Sequence, residues 1–205
     1  MDTDIPLISA LLGGHPSIVH KLIDLGEDVN VRMQDGKTPL FLAIGSPYHD
    51  VFEHLLQAGA EVNVRDANGN TPLHIAAENG DGLDVNLLVQ HGVDIKAANV
   101  RGETPLHVAA AYVNIETTRT LIAVGSNVNS KDNLGKTPLH HVAFSNTCSH
   151  RFNELVLTAE ALIGAGANLS AQTHQGETPL RLAQLHSGCP QLIQLLSSTA
   201  KGDTK

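Results

Sequence analysis

The sequence is poor in the residues that mark several large classes of protein. It has no tryptophan, and aromatic residues make up 3% of its 205 positions. A core must therefore come from Leu, Ile, Val and Ala, which suits thin stacked helices. Its two cysteines, Cys148 and Cys189, are too few for a disulfide framework and share no metal-ligand spacing, which favours a reducing compartment. Lys and Arg number 13 against 21 Asp and Glu, a formal charge of −8. That balance argues against nucleic acid, whose phosphates are held by clustered basic side chains. No run approaches the roughly 18 apolar residues of a membrane span. The apolar stretch from Ile5 to Leu12 is interrupted by Pro6 and lacks a basic flank, so no signal peptide is expected. Nor is there a Gly-x-Ser-x-Gly elbow, a phosphate loop or a carboxylate pair outside the repeating pattern. These absences lead to the expectation of a soluble, cytoplasmic, monomeric, non-enzymatic chain without cofactor, or a nuclear one in a eukaryote.

What is present is a period. Pro6, Pro39, Pro72, Pro105 and Pro138 are 33 residues apart, and Pro179 follows after 41. Gly26, Gly59, Gly92 and Gly125 keep the same interval, and Gly166 again follows after 41. Two markers in one phase, absorbing the same eight extra residues, define an array of one small unit, and such arrays work by presenting a surface.

The third unit reads most plainly. Thr71 before Pro72 is a helix start, because the hydroxyl can cap free N–H groups and proline at the first helical position loses no needed donor. Leu73, Ala76 and Ala77 share a face, and Asn79-Gly80 ends the helix. Leu83, Leu87 and Leu88 supply the stripe of a second, antiparallel helix that Gly92 terminates. An extended stretch then leads to the next Gly-containing turn.

These residues resemble the ankyrin repeat. Its Gly-x-Thr-Pro-Leu-His-x-Ala-Ala signature reads from Gly69 to Ala77 and from Gly102 to Ala110, with looser copies starting at Gly36, Gly135 and Gly176. The first unit, from Asp4 to Ala10, is degenerate, and Gly-x-x-Val-Asn endings recur at Gly26, Gly59 and Gly125. The resemblance implies an all-α solenoid of stacked helix-turn-helix repeats with protruding turns. Its domain spans 1–199, with repeats at about 1–32, 33–65, 66–98, 99–131, 132–172 and 173–199, and residues 200–205 form a polar tail. It implies that His74, His107 and His140 fix backbone rather than bind metal, and that Asn30, Asn63 and Asn129 match hydroxylation acceptors of eukaryotic members.

Other apparent motifs dissolve on inspection. His49 and His54 miss zinc-protease spacing by one residue and lie about 140° apart on a helix, where they cannot share a metal, so that helix is read as a solvated outer one. Asp66 and Asp132 precede their glycines at one offset, as turn residues do. The extra eight residues lie within Phe144 to Asn153, where a longer turn or extended helix would add contact surface. The alternative is a ligand- or metal-sensing loop with His141, Cys148 and His150 as ligands.

The resemblance further implies a protein partner on a concave face built from the turns and the exposed sides of the first helices. The binding candidates are Arg65, Asn68, Asn70, Glu78, Val100, Arg101, Tyr112, Leu134, Lys136 and Phe144, within a wider set that includes Glu103 and Ser145. Val100, Tyr112, Leu134 and Phe144 are apolar where polar residues are expected, and so mark the centre of an interface. Basic residues gather on the turns, with acids such as Asp24, Glu53, Asp84 and Glu116 on the helices behind. Pro47 and Val113 replace the glycine that ends the first helix, so those two turns are expected to be irregular.

Overall fold

The computed structural model describes residues 5–45, 49–80, 82–145, 151–187 and 189–202. Among them are twelve α-helices and no strand, an all-α repeat. One compact unit, Met1–Asp94, holds α1 (Pro6–Leu12), α2 (Pro16–Asp24), α3 (Pro39–Ala43), α4 (His49–Gln57), α5 (Pro72–Asn79) and α6 (Gly82–Gln90). A second, Ile95–Lys205, holds α7 (Pro105–Ala111), α8 (Ile115–Ala123), α9 (Pro138–Phe144), α10 (Phe152–Gly164), α11 (Pro179–Leu182) and α12 (Pro190–Gly202), with a π-helical turn over Ala183–Ser187. The last helix thus runs to Gly202, beyond the expected end of the repeats.

Within each unit the layers follow the period. α1 packs on α3, α3 on α5 and α2 on α4 in the first; α7 packs on α9, α9 on α11, α8 on α10 and α10 on α12 in the second. The signature leucines Leu7, Leu40, Leu73, Leu106 and Leu139 are fully buried, each worth about 2 kcal/mol relative to exposure. The stripe of the third repeat's second helix differs from expectation. Leu83 is 62% exposed, while Val85, Leu88 and Asp84 are buried. The helix begins at Gly82, which leaves Leu83 on its outer first turn and aims Asp84 inward. There the Asp84 carboxylate accepts a hydrogen bond from Gly45 N at 2.9 Å and lies 3.2 Å from His49 Nδ1. It is a structural acceptor, not one of the outer acids.

Each first helix starts with Pro, after an extended Ile5 in repeat one and an extended Thr in the other five, and in three repeats the signature histidine completes the cap. The backbone N–H groups of Thr71, Thr104 and Thr137 donate to Nδ1 of His74, His107 and His140 at 3.1 Å. With Nδ1 accepting, Nε2 carries the proton and donates forward: His107 to the carbonyls of Ser130 and Lys136, His140 to that of Glu177. Repeat two has Phe41 in place of the histidine, and the buried Thr38 hydroxyl has no partner among the described residues.

Asparagines make a second set of rungs. Asn30 Nδ2 donates to Gly59 O and its Oδ1 accepts from Glu61 N. Asn63 does the same to Gly92 O and Asp94 N, and Asn129 to Gly166 O and Asn168 N. The turn residues behave as read: Asp66 Oδ1 accepts from Asn68 N and Asn70 N, and Asp132 Oδ1 from Leu134 N and Lys136 N.

Candidate functional site

The turns that close the repeats bring successive tips together. Ala67 N donates to Asp35 O at 2.7 Å in the first unit. In the second, Asn133 N donates to Arg101 O at 3.0 Å, and His174 N to Leu134 O at 2.9 Å. A short row of tips results, with each second turn residue beside its neighbour in the next repeat.

In the second unit the row carries the apolar residues. Val100 and Leu134 sit at tips and are 64% and 60% exposed; Tyr112 caps α7 at 47% and Phe144 ends α9 at 46%. Leu134, Lys136 and Phe144 come together in a notch of about 260 Å³, completed by Leu182, Thr173, His174, Gln175, Glu177 and His186. The Lys136 ammonium stands 4.4 Å from the centre of the Phe144 ring, and the His186 ring meets Phe144 from the π-helical turn at 4.7 Å. Such a cation over an aromatic face is worth about 0.5–1 kcal/mol at an exposed site. Val100 and Tyr112 are exposed but line no part of the notch.

Repeat six contributed none of the binding candidates read from the sequence, yet it supplies six of the nine residues of this wall. The signal was available, because His174 holds the turn position that Asn133 and Val100 hold one and two repeats earlier. Two of the wider candidates are corrected: Glu103 and Ser145 are buried. Glu103 accepts from Asn99 Nδ2 and Arg101 Nε, both at 2.9 Å. Burial pushes its carboxyl up, but these bonds and the guanidinium charge outweigh burial and hold it below the usual range. Arg101, although exposed, is therefore committed to its own turn. In the first unit Arg65, Asn68 and Glu78 are exposed and Asn70 is half-buried. Arg65 donates to Gly69 O at 2.9 Å and Asn70 to Asp66, so these two also brace their turn.

Glu103, Asp132 and His141 offer ligand atoms within 4.8 Å of one another. His141 Nε2 already lies 3.0 Å from Asp132 Oδ2, and Arg101 supplies the positive charge beside Glu103. Burial raises the Asp132 pKa, while the bonds from His141 and from the Lys136 and Leu134 N–H groups bring it down to about 2. The cluster serves as a turn brace whose charges are met from within. Cys148 and His150, the other members of the sensing alternative, lie outside the described residues.

No described helix is long and apolar enough to cross a membrane. A comparison with known families matches the one described as ankyrin repeats (three copies) at residues 7–99, 46–132 and 85–157. No curated protein matches the chain.

Proposed function

We propose, from the premise that the chain belongs to the ankyrin-repeat family, that it is a non-enzymatic protein-interaction module acting as scaffold, adaptor or stoichiometric inhibitor. Proteins of this family generally serve as interaction modules. The partner lies across the row of turns and the first helices, and the Leu134–Phe144 notch is its anchor in the second unit. One observation carries this reading. Two large apolar side chains, Leu134 and Phe144, stay about half exposed or more while forming the walls of a notch with a cation at its edge. An apolar partner side chain entering there gains burial on several sides, as interface centres do. Val100, Tyr112 and Arg101 extend the contact within the second unit, and Arg65, Asn68, Asn70 and Glu78 are the contact residues of the first. Cytoplasmic placement and a monomeric state go with this reading.

Affinity capture from lysate of the source cell, comparing wild type with a Leu134→Ala, Phe144→Ala double variant, tests it. Circular dichroism first establishes that both are folded. A protein retained by wild type and lost by the variant, and then bound directly as a purified pair, supports the reading. Equal retention of every direct binder by both proteins removes the notch from the interface.

A further inference from the structure

On the second-helix layer of the first unit, away from the turns, two histidines face each other. His20 of α2 and His54 of α4 place their Nδ1 atoms 2.7 Å apart. The rings are inclined by 23° with centroids 4.9 Å apart, so the two nitrogens point at each other almost head-on. Behind each ring stands a carboxylate from the opposite helix. His20 Nε2 is 2.8 Å from Asp50 Oδ2 on α4, and His54 Nε2 is 3.3 Å from Asp24 Oδ1 on α2. The order in space is Asp50, His20, His54, Asp24.

Counting protons shows what this arrangement asks for. A neutral imidazole has one N–H and one bare nitrogen. A carboxylate beside each Nε2 draws the proton there, which leaves both Nδ1 lone pairs aimed at each other. Two neutral rings can share that contact only if one of them, His54 with its longer 3.3 Å carboxylate contact, moves its proton to Nδ1 and turns a bare Nε2 toward Asp24; a cation between the rings removes that conflict. One extra proton would leave the four groups with a net charge of −1, since two carboxylates face a single imidazolium. A divalent ion would bring them to neutrality. Histidine metal ligands characteristically give their second ring N–H to a carboxylate, which fixes the tautomer and raises the basicity of the ligating nitrogen. Here that second shell is built twice, in crossed fashion, around one point.

We propose that His20 and His54 bind a divalent transition metal through their Nδ1 atoms, with Asp50 and Asp24 as second-shell partners. Two imidazoles with oxygen or water completing the sphere suit zinc, nickel or copper rather than magnesium or calcium. Tetrahedral zinc, with Zn–N near 2.0–2.1 Å, would set the nitrogens about 3.3 Å apart. From the near head-on arrangement each ring must move outward by a few tenths of an ångström and turn by roughly 35° so that both lone pairs converge on the ion, and both side chains are partly solvent-exposed and able to turn. The ion would join the second helices of repeats one and two and leave outward positions open to water or to a side chain of another molecule. His49 takes no part, since it turns to Asp84.

The test is calorimetric titration of the untagged, chelator-treated full chain with Zn²⁺ at pH 7.5, with Mg²⁺ as control. One equivalent of zinc should bind to wild type, to Cys148→Ser and to His141→Ala, and Mg²⁺ should give no heat of binding. His20→Ala and His54→Ala should each lose that equivalent, and Asp50→Asn should bind about 10–100-fold more weakly. Zinc should also raise the melting midpoint of wild type but of neither histidine variant. A second readout, imidazole nitrogen NMR, should show Nδ1 resonances of both residues shifting on addition of zinc. Zinc binding unchanged in both histidine variants, or no zinc bound while NMR shows a proton shared between the rings, would overturn the proposal.

Discussion

Repeats three and four make the same left-handed turn behind their first helices from opposite materials. In repeat three the turn residue is Gly80, at φ 81°, where the lack of a Cβ makes that backbone free of strain. In repeat four it is Val113, at φ 58°, a β-branched residue in a region that side chains such as its own avoid at a cost of about 1–2 kcal/mol. Two things offset that cost. The Val113 side chain is fully buried, which contributes about 1.5–3 kcal/mol. Arg151, at the far end of the insertion, also donates to the carbonyls of Tyr112 and Val113 at 3.0 and 3.1 Å and lies 3.4 Å from Asn114 Oδ1. Glycine makes its turn locally, whereas valine makes the same turn with help from residues 38 positions away.

Acid should break repeat four most severely. Burial, with the nearby His141, lowers the His107 pKa from 6.5 to about 4 despite the carbonyls that Nε2 reaches. The folded state therefore holds this ring neutral, and its stabilising effect is complete above pH 6.5. It is lost as pH falls toward 4, because the unfolded chain takes up the proton first. The gap is worth roughly 3 kcal/mol. Urea denaturation at pH 7 and pH 4.5 should show the loss, and His107→Asn should shrink it; equal acid sensitivity in the variant would remove His107 as its source.

Next in size, Gly80→Val should cost about 1–2 kcal/mol, since repeat three has no arginine to hold a strained turn. The reverse exchange, Val113→Gly, should change stability by less than about 1 kcal/mol, because relief of strain and loss of burial oppose each other. Thermal melts of the pair would sharpen the comparison, and equal losses would dissolve it. Arg151→Ala should cost about 1 kcal/mol in wild type and less in a Val113→Gly background. A double-mutant cycle without coupling would mean that Arg151 does not brace the turn. The smallest effect concerns Lys96, which stands one period after Asn63 and one before Asn129. Lys96→Asn would restore the asparagine rung, toward Gly125 and Asn127, and should add up to about 1 kcal/mol.

The helices and their caps were legible because the information is local. Thr-Pro-Leu-His fixes a cap within four residues, and Gly80 announces its turn. Val113 was legible only in part. The missing glycine promised an irregular turn, but the turn is left-handed like that of repeat three, since burial and a distant guanidinium replace the conformational freedom; Pro47, the other replacement, lies outside the described residues. Asp84 and Leu83 were read from a helix face whose phase shifts with the helix start, so an inward acid was taken for an outer one. At the notch, Leu134 and Phe144 betrayed themselves as apolar residues in polar places. His174 and His186 did not, because a histidine is unremarkable in either setting. The meeting of His20 and His54 was beyond any motif: they are 34 residues apart, one off the period, on helices that touch only through the fold.

The histidine and asparagine rungs cross successive junctions one after another, and this has a mechanical consequence. Pulled from its ends, each unit carries the load through these short bonds in series, so the weakest junction yields first and the rest follow singly. Every 33-residue repeat released would lengthen the tether by roughly 110 Å. The fifth, with its eight additional residues, would give a step about 25–30 Å longer. A force–extension trace of this protein would thus carry its own ruler, with one oversized interval marking when repeat five lets go.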